Sequence, residues 1–282
     1  MTGASARLFD DAFLRTLAAV RLVPRRALAG LASGERRSPA FGSSVEFADY
    51  RTYAPGDDYR RIDWNAYARL ERLFLRRFRA DENLALSILV DASASMAWGE
   101  PSKAQCAAQV AGALSFVGLR AEDTVTLAAC RDGTVAERRE RLSGDRAVLA
   151  AWRFLEQLAF TGETDLDASL ARYARQVRGH GLDALLAAGQ EVVLIQVLAP
   201  DELRPPADLL GDWHLVDAEH GAGVEVSIDE RMVRAYRDRV DAYLAEIEAF
   251  CRRRGVSRIL LSCDADLRQV LVPSLRRAGV LV

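Results

Sequence analysis

Hydrophobic and polar positions along the chain follow two different periods. Continuous apolar runs predict buried strands at residues 84–90, 124–130, 191–198 and 258–263. Between these runs, apolar positions recur three and four residues apart, which is the spacing of amphipathic helices. Strands that alternate with helices from residue 84 onwards predict an α/β fold, a mostly parallel sheet with helices on both faces.

Helix boundaries are marked by local signals. Helices are predicted at residues 5–23, 102–119, 145–159, 166–177 and 267–278, and between Glu230 and Gly255. Ser227-x-x-Glu230 predicts a capping box at the start of the long helix, and Gly255 predicts its end. We expect the apolar stripe of this helix to lie in the core: Val233, Tyr236, Val240, Tyr243, Leu244, Ile247 and Phe250.

Two hairpins are predicted from turn chemistry. Arg131-Asp132-Gly133 is a tight turn signal, so residues 134–141 are expected to form a polar edge strand. Glycines between two short apolar stretches predict a hairpin insertion at about residues 212–228.

The first buried strand ends in a cluster of oxygen-bearing side chains. Asp91, Ser93 and Ser95 follow the apolar run within five residues. Oxygen ligands packed this tightly suit a hard cation such as Mg²⁺. Ordinary Ser/Asp turn chemistry after a strand gives the same pattern. These residues alone therefore leave both interpretations open.

A second polar loop, Thr161–Asp165, precedes the helix at 166–177. Ligands in parallel sheets bind at the carboxyl ends of the strands, near the switch point. We therefore expect this loop and the cluster at Asp91 to converge on one rim of the sheet. That convergence favours a cation site.

The segment before the first strand contains a dense group of charged and aromatic residues around the turn Pro55-Gly56-Asp57-Asp58. We predict a structural ion-pair network anchored by buried aromatics, formed by Glu46, Arg51, Asp57, Asp58, Arg60, Asp63 and Trp64. A catalytic carboxylate pair is the alternative, but no His, Ser or Cys nucleophile accompanies it. The arginines of residues 66–80 indicate an amphipathic basic strand, with nucleic-acid binding as a weaker alternative.

Composition narrows the class of protein. The 282 residues carry a net charge of -2, which argues against a protein that coats nucleic acid. The four cysteines are far apart in apolar or amphipathic segments, so we expect buried free thiols in a reducing compartment. No apolar run approaches the length of a transmembrane helix. We therefore expect a cytoplasmic protein that binds neither membranes nor nucleic acid.

The motifs GERRS, EFADYR, PGDDYRRIDWNAYAR and DASASM, between Gly34 and Met96, closely resemble a bacterial family. It is the domain-of-unknown-function family number fifty-eight. The resemblance extends to the C-terminal half through TDL, EVVLIQVLAPDEL and FCRRRG. It implies a von Willebrand factor A-like domain at residues 81–282, preceded by a family-specific α+β segment at residues 1–80.

The resemblance also implies a metal-ion-dependent adhesion site for Mg²⁺ or Mn²⁺. Asp91, Ser93 and Ser95 match its first motif, and Thr164 matches its second, with Asp165 beside it as a further candidate ligand. The third motif is an aspartate after a further strand, and here about fifteen residues are absent, roughly one strand and its loop. Asp183 is a poor substitute because it lies at a predicted helix start.

The expected consequence is a sheet one central strand short. Residues 191–198 would pair directly with residues 84–90, or the sheet would have a gap or be rearranged. Four of the five expected ligands are present, which predicts a weakened cation site.

The function implied by the resemblance is a non-enzymatic, metal-dependent adaptor. It would bind a partner's Asp or Glu and act with a MoxR-type AAA+ ATPase in a chaperone-like or maturation role. A metal-dependent hydrolase and a degenerate scaffold without metal are the alternatives. No Lys or His is placed in the sequence to act as a base beside Asp91, which disfavours the hydrolase.

Overall fold

The structure is a computed structural model. It describes residues 9–23, 45–53, 62–70, 72–80, 83–177, 185–186, 189–206 and 209–282. The chain forms two compact units. The larger unit combines Met1–Ala32 with Ala85–Val282, and the smaller unit is Ser33–Leu84. The predicted substitute ligand Asp183 lies outside the described residues.

The helices mostly begin and end near their predicted positions. They are α1 (Asp11–Ala18), α2 (Trp64–Leu70), α3 (Lys103–Arg120), α4 (Val148–Glu156), α5 (Leu166–Val177), α6 (Pro200–Leu203), α7 (Glu230–Arg254) and α8 (Leu267–Arg277). Two short 3-10 turns, Ala94–Ala97 and Asp145–Ala147, precede α3 and α4. No helix in the described part of the chain combines the length and hydrophobicity needed to cross a membrane.

Nine strands lie in the described residues. They are β1 (Val45–Thr52), β2 (Phe74–Ala80), β3 (Ala85–Asp91), β4 (Thr124–Arg131), β5 (Thr134–Leu142), β6 (Val193–Leu198), β7 (Gly211–Val216), β8 (Gly223–Ile228) and β9 (Ser257–Ser262). Parallel pairs join β3 to β4 and β6 to β9, and antiparallel pairs join β4 to β5 and β7 to β8. The result is a mixed α/β fold, and the two predicted hairpins are confirmed.

The predicted mostly parallel sheet is divided. Strands β3, β4 and β5 form one sheet, while β6 and β9 form another. Within the described residues, no hydrogen-bonded pairing joins β3 to β6. The direct pairing of β6 with β3 is therefore not formed in the described residues, where no strand lies between α5 and β6.

Helix α3 lies at the centre of the larger unit and packs against β3, β4 and β6. It is buried on most of its circumference because small residues allow close approach. A side chain at Gly112 would meet Phe9 and Leu155, and one at Gly118 would meet Val125. Helix α3 thus contributes apolar surface to both sheets, within one continuous core.

Helices cover both faces of the sheet that contains β3. Leu86 lies beside Gly118 of α3. The next residue, Ser87, accepts a 2.7 Å hydrogen bond from the Tyr173 hydroxyl of α5. Successive strand residues point to opposite faces, so α3 and α5 lie on opposite sides.

All four cysteines are buried free thiols, as predicted. Burial raises the pKa of Cys106 and of Cys130 to about 11, so both thiols are protonated at neutral pH.

Two expectations for α7 are wrong. Asp229, not Ser227, caps the helix, and its Oδ1 accepts a 2.7 Å hydrogen bond from the Met232 amide. Ser227 remains in β8, where its hydroxyl donates to the Asp212 carboxylate. The apolar stripe also lies outside the core: none of its members is buried, and Tyr243 is 51% exposed, because α7 packs mainly on β9. The predicted end at Gly255 is confirmed, with φ of 68°.

The smaller unit contains the antiparallel pair β1–β2 and helix α2. Asp63 is buried and its Oδ1 accepts a 3.1 Å hydrogen bond from the Ala66 amide, so it caps α2. Trp64 was expected to be a buried anchor, and this is wrong: it is 61% exposed and packs edge-on against Tyr67. As the first residue of a short helix, its side chain points away from the face that buries Ala66.

The remaining members of the predicted network are not described at the side-chain level. Glu46 and Arg51 lie on β1, where the structure describes the backbone. Asp57, Asp58 and Arg60 lie outside the described residues. The network therefore stays a prediction.

Three loops meet at the carboxyl ends of β3, β6 and β9. A side chain on Gly99 would meet Ala199 and the Cys263 thiol, and that thiol donates a 2.9 Å hydrogen bond to the Pro101 carbonyl. Lys103, 7% exposed, places its Nζ 2.6 Å from Glu202 Oε1. These contacts join the two sheets at one rim.

Glu202→Gln is expected to destabilise the protein by about 2 kcal/mol, because it leaves the buried Lys103 ammonium without its anionic partner. The measurement is urea unfolding followed by circular dichroism. Asp201→Asn removes an exposed charge from the same helical turn and is the matched control. Equal stability of the two variants would contradict a stabilising role for the ion pair of Lys103 and Glu202.

The loop before α5 depends on Gly162. Its φ is +81°, and a side chain there would clash with the Asp132 carboxylate. Asp132 Oδ1 accepts a 2.7 Å hydrogen bond from the Glu163 amide, so the carboxylate cannot move away without losing this hydrogen bond. Gly255 has a similar φ of +68° in the left-handed region, with open space around it.

Gly162→Ala should therefore cost more free energy of unfolding than Gly255→Ala. Both changes introduce left-handed strain of about 1 kcal/mol. The first also disrupts the Asp132 hydrogen bond, which adds about 1–3 kcal/mol. Denaturant unfolding of the two variants side by side checks this expectation, and equal losses would refute it.

Candidate metal centre

Three hydroxyl groups from two loops lie in direct contact. Thr164 Oγ1 is 2.7 Å from Ser93 Oγ, and Ser93 Oγ is 3.2 Å from Ser95 Oγ. Ser95 Oγ closes the triangle at 3.5 Å from Thr164 Oγ1. Ser93 is fully buried, so this side of the cluster is shielded from water.

Backbone hydrogen bonds hold the two loops together. The Ala94 amide donates to the Gly162 carbonyl at 3.0 Å, and the Thr161 amide donates to the Ala92 carbonyl at 2.9 Å. These bonds extend the edge of the sheet beyond β3. The serines therefore meet Thr164 in a fixed geometry that does not depend on side-chain contacts alone.

Asp91 is the last residue of β3, in register with Cys130 of β4. Its Oδ1 accepts a 3.0 Å hydrogen bond from the Ser93 amide. This bond places the carboxylate beside the loop that carries Ser93 and Ser95, which we call the serine loop. After burial, the Asp91 charge is the second cause of the raised pKa of the Cys130 thiol. The strand end thus provides the negative charge of the site.

Asp165 has a different role in the described contacts. Its Oδ1 accepts a 2.9 Å hydrogen bond from the Ala168 amide, so it caps the first turn of α5. Its Oδ2 lies on the side of Gly133. The structure brings Ser93, Ser95 and Thr164 together with Asp91 next to them, and it uses Asp165 to start the helix.

Glu219, which the sequence analysis did not identify, reaches into the same cluster. Its Oε1 accepts a 2.6 Å hydrogen bond from Thr164 Oγ1, and its Oε2 accepts a 3.0 Å hydrogen bond from the Thr164 amide. The hydrogen bond from the Thr164 hydroxyl is the largest cause that lowers the pKa of the Glu219 carboxyl below its usual value. The bonds from the Thr164 amide and from Ser95 lower it further. The carboxylate is therefore charged at neutral pH.

The turn of the β7–β8 hairpin fixes the position of Glu219. Asp217 Oδ1 accepts hydrogen bonds from the amides of Glu219 at 2.7 Å and His220 at 2.9 Å. The same two bonds, led by the one from His220, lower the pKa of the Asp217 carboxyl. His220 Nε2 also lies 3.3 Å from Glu163 Oε1, a second contact between the hairpin and the Thr164 loop.

Only the hairpin prediction pointed towards Glu219. A glutamate in a polar turn of an insertion has no periodicity or spacing that separates it from an ordinary surface residue. Asp217, two residues before it, is an Asx-turn signal that fixes the turn conformation. Glu219 lies 55 residues after Thr164 in the sequence, and the two residues come into contact only in the folded chain.

The assembled group consists of hydroxyl and carboxylate oxygens. Such ligands suit a hard divalent cation, and Mg²⁺ binds them in octahedral geometry. In the part of the chain that the structure describes, no group of three or more His, Cys, Asp or Glu could hold a metal. A cation here would therefore depend on the hydroxyls of Ser93, Ser95 and Thr164.

Comparisons with known proteins found a structural match and similar sequences. A solved structure, an aerotolerance-related membrane protein from Bacteroides fragilis NCTC 9343 with multiple mutations to serines, is 16% identical. It matches with a TM-score of 0.39 over 69% of this chain and 100% of that chain. Uncharacterized proteins of Mycobacterium tuberculosis (strain ATCC 25618 / H37Rv) and of Mycobacterium bovis (strain ATCC BAA-935 / AF2122/97) are each 28% identical. Each alignment covers 96% of this chain and 90% of the relative.

A family model matches residues 49–188, which include the PGDD turn, the serine loop and Thr164. The resemblance first recognised from the motifs is thereby confirmed. Residues 49–188 of the chain thus belong to the family described as Protein of unknown function DUF58.

Proposed function

We propose that the protein is a non-enzymatic adaptor with a von Willebrand factor A-like fold that binds a protein partner through Mg²⁺ or Mn²⁺. The cation is held by Asp91, Ser93, Ser95 and Thr164, and a partner's Asp or Glu completes its coordination. The observation that carries this proposal is the contact among three hydroxyls from two separate loops beside a strand-end carboxylate.

The chemistry of these ligands supports capture of a carboxylate. Hydroxyl oxygens coordinate Mg²⁺ without neutralising its charge. The cation therefore remains electrophilic and attracts a further anionic oxygen. A partner's carboxylate meets this requirement and offers a charge-assisted contact that a neutral side chain does not.

The proposed partner is a MoxR-type AAA+ ATPase, in a chaperone-like or maturation process in the cytoplasm. This part rests on the family resemblance. The four buried free thiols are consistent with a reducing compartment.

A degenerate scaffold that binds no metal is the second candidate. The lack of a described strand between β3 and β6 favours it, because such a strand would be a further source of ligands. In that case the hydroxyl cluster serves only to tie the two loops together.

Isothermal titration of Mg²⁺ into the full chain distinguishes the two candidates. Wild type should bind one ion, and Asp91→Ala should lower the affinity at least about a hundredfold, because it removes a charged ligand. The control is Asp145→Ala, which removes an exposed carboxylate paired with Arg120 far from the serine loop in sequence. It should bind like wild type. Absence of binding to wild type would exclude the cation site.

Complex formation with a purified MoxR-type ATPase from the same organism should depend on the cation. Co-elution in gel filtration should require Mg²⁺ and be lost with EDTA or in Asp91→Ala, while Asp145→Ala should still co-elute. A complex that survives EDTA would contradict cation-mediated capture.

A further inference from the structure

The β7–β8 hairpin carries a carboxylate to the hydroxyl cluster, although the hairpin lies outside both larger sheets. Its turn is closed by hydrogen bonds from the Asp217 amide to the Ala222 carbonyl at 2.8 Å and from the Gly221 amide to the Asp217 carbonyl at 2.9 Å. Gly221 permits this turn with φ of +68°. The backbone that presents Glu219 is therefore well defined.

Three neighbouring pairs of oxygens have spacings close to those of adjacent ligands in an octahedral coordination shell. Ligands at 2.0–2.1 Å from Mg²⁺ lie about 2.9 Å from their nearest neighbours in that geometry. Glu219 Oε1 is 2.6 Å from Thr164 Oγ1, which is 2.7 Å from Ser93 Oγ, and Ser93 Oγ is 3.2 Å from Ser95 Oγ. Glu219 Oε1 thus lies beside the hydroxyl oxygens, and these distances are close to the spacing of adjacent Mg²⁺ ligands.

Charge gives a second reason for a role in cation binding. Asp91 alone leaves a divalent cation with one uncompensated positive charge. Glu219 supplies another carboxylate, and the Thr164 amide already orients its Oε2. With Oε2 fixed, Oε1 is directed at the hydroxyl cluster.

We propose, on the basis of the cation site proposed above, that Glu219 is an intramolecular ligand of the metal ion. The hairpin insertion supplies the second anionic oxygen that the strand order does not. Asp91, Ser93, Ser95, Thr164 and Glu219 then occupy five positions of the octahedron. One position remains, so the site binds a single external oxygen.

The two roles of Glu219 as acceptor and as ligand differ in their dependence on charge. Glu219→Gln keeps the size of the side chain: its carbonyl oxygen can accept from the Thr164 amide and its NH2 group can donate to Thr164 Oγ1, but the negative charge is lost. A residue that only ties the hairpin to the loop tolerates this change. A metal ligand does not.

Titration of Mn²⁺ and Mg²⁺ into the full chain tests this proposal. Glu219→Gln should lower the affinity for both ions about ten- to a hundredfold. Glu225→Gln, an exposed glutamate of β8 in the same hairpin, is the matched control and should bind like wild type. Wild-type affinity in Glu219→Gln together with loss in Asp91→Ala would overturn the role of Glu219 and leave the cation site intact. No binding by wild type would overturn both.

Hydrogen exchange provides a readout that does not depend on affinity. Mg²⁺ should slow amide exchange in residues 211–228 of wild type, because a ligated Glu219 couples the hairpin to the ion. The slowing should disappear in Glu219→Gln even at saturating Mg²⁺. Cation-dependent protection of the Thr164 loop without any change in the hairpin would overturn the proposal.

Discussion

The larger unit depends on the burial of α3 against two sheets that no described strand pairing joins. Backbone hydrogen bonds hold β3, β4 and β5 together, and separately β6 and β9. Between these groups, the cohesion comes from apolar contact with α3 and from the contacts at the rim, among them the ion pair of Lys103 and Glu202. Because α3 begins directly after the serine loop, the same packing fixes the position of the candidate metal centre.

Much of this fold follows from local sequence patterns. Helix α5 has the bounds predicted from its periodicity, and Gly255 ends α7 as its chemistry requires. Prediction failed where tertiary contacts decide between local alternatives. Ser227 and Asp229 are both good capping residues, and only the extension of β8 removes Ser227 from that role. The stripe of α7 is apolar with helical spacing, yet its exposure depends on which elements lie nearby.

The candidate site shows the same division between local and long-range information. Asp91, Ser93 and Ser95 are adjacent in sequence, and the carboxyl-end rule relates them to Thr164 through the order of strands. Glu219 reaches Thr164 through an insertion whose orientation no periodic pattern specifies. Within the described residues no strand joins β3 to β6, and the hairpin near the rim supplies what that strand does not. It delivers a second carboxylate to a site in which Asp91 would otherwise be the single anionic ligand.

The central claim is that the hydroxyl cluster and Glu219 together hold a divalent cation. A crystal of the full chain grown with Mn²⁺ tests this most directly, because the ion can be located by its anomalous scattering. Our account predicts one peak at direct coordination distance from the hydroxyls of Ser93 and Thr164 and from Glu219. An ordered cluster with hydrogen bonds as described here and no peak at saturating Mn²⁺ would contradict it.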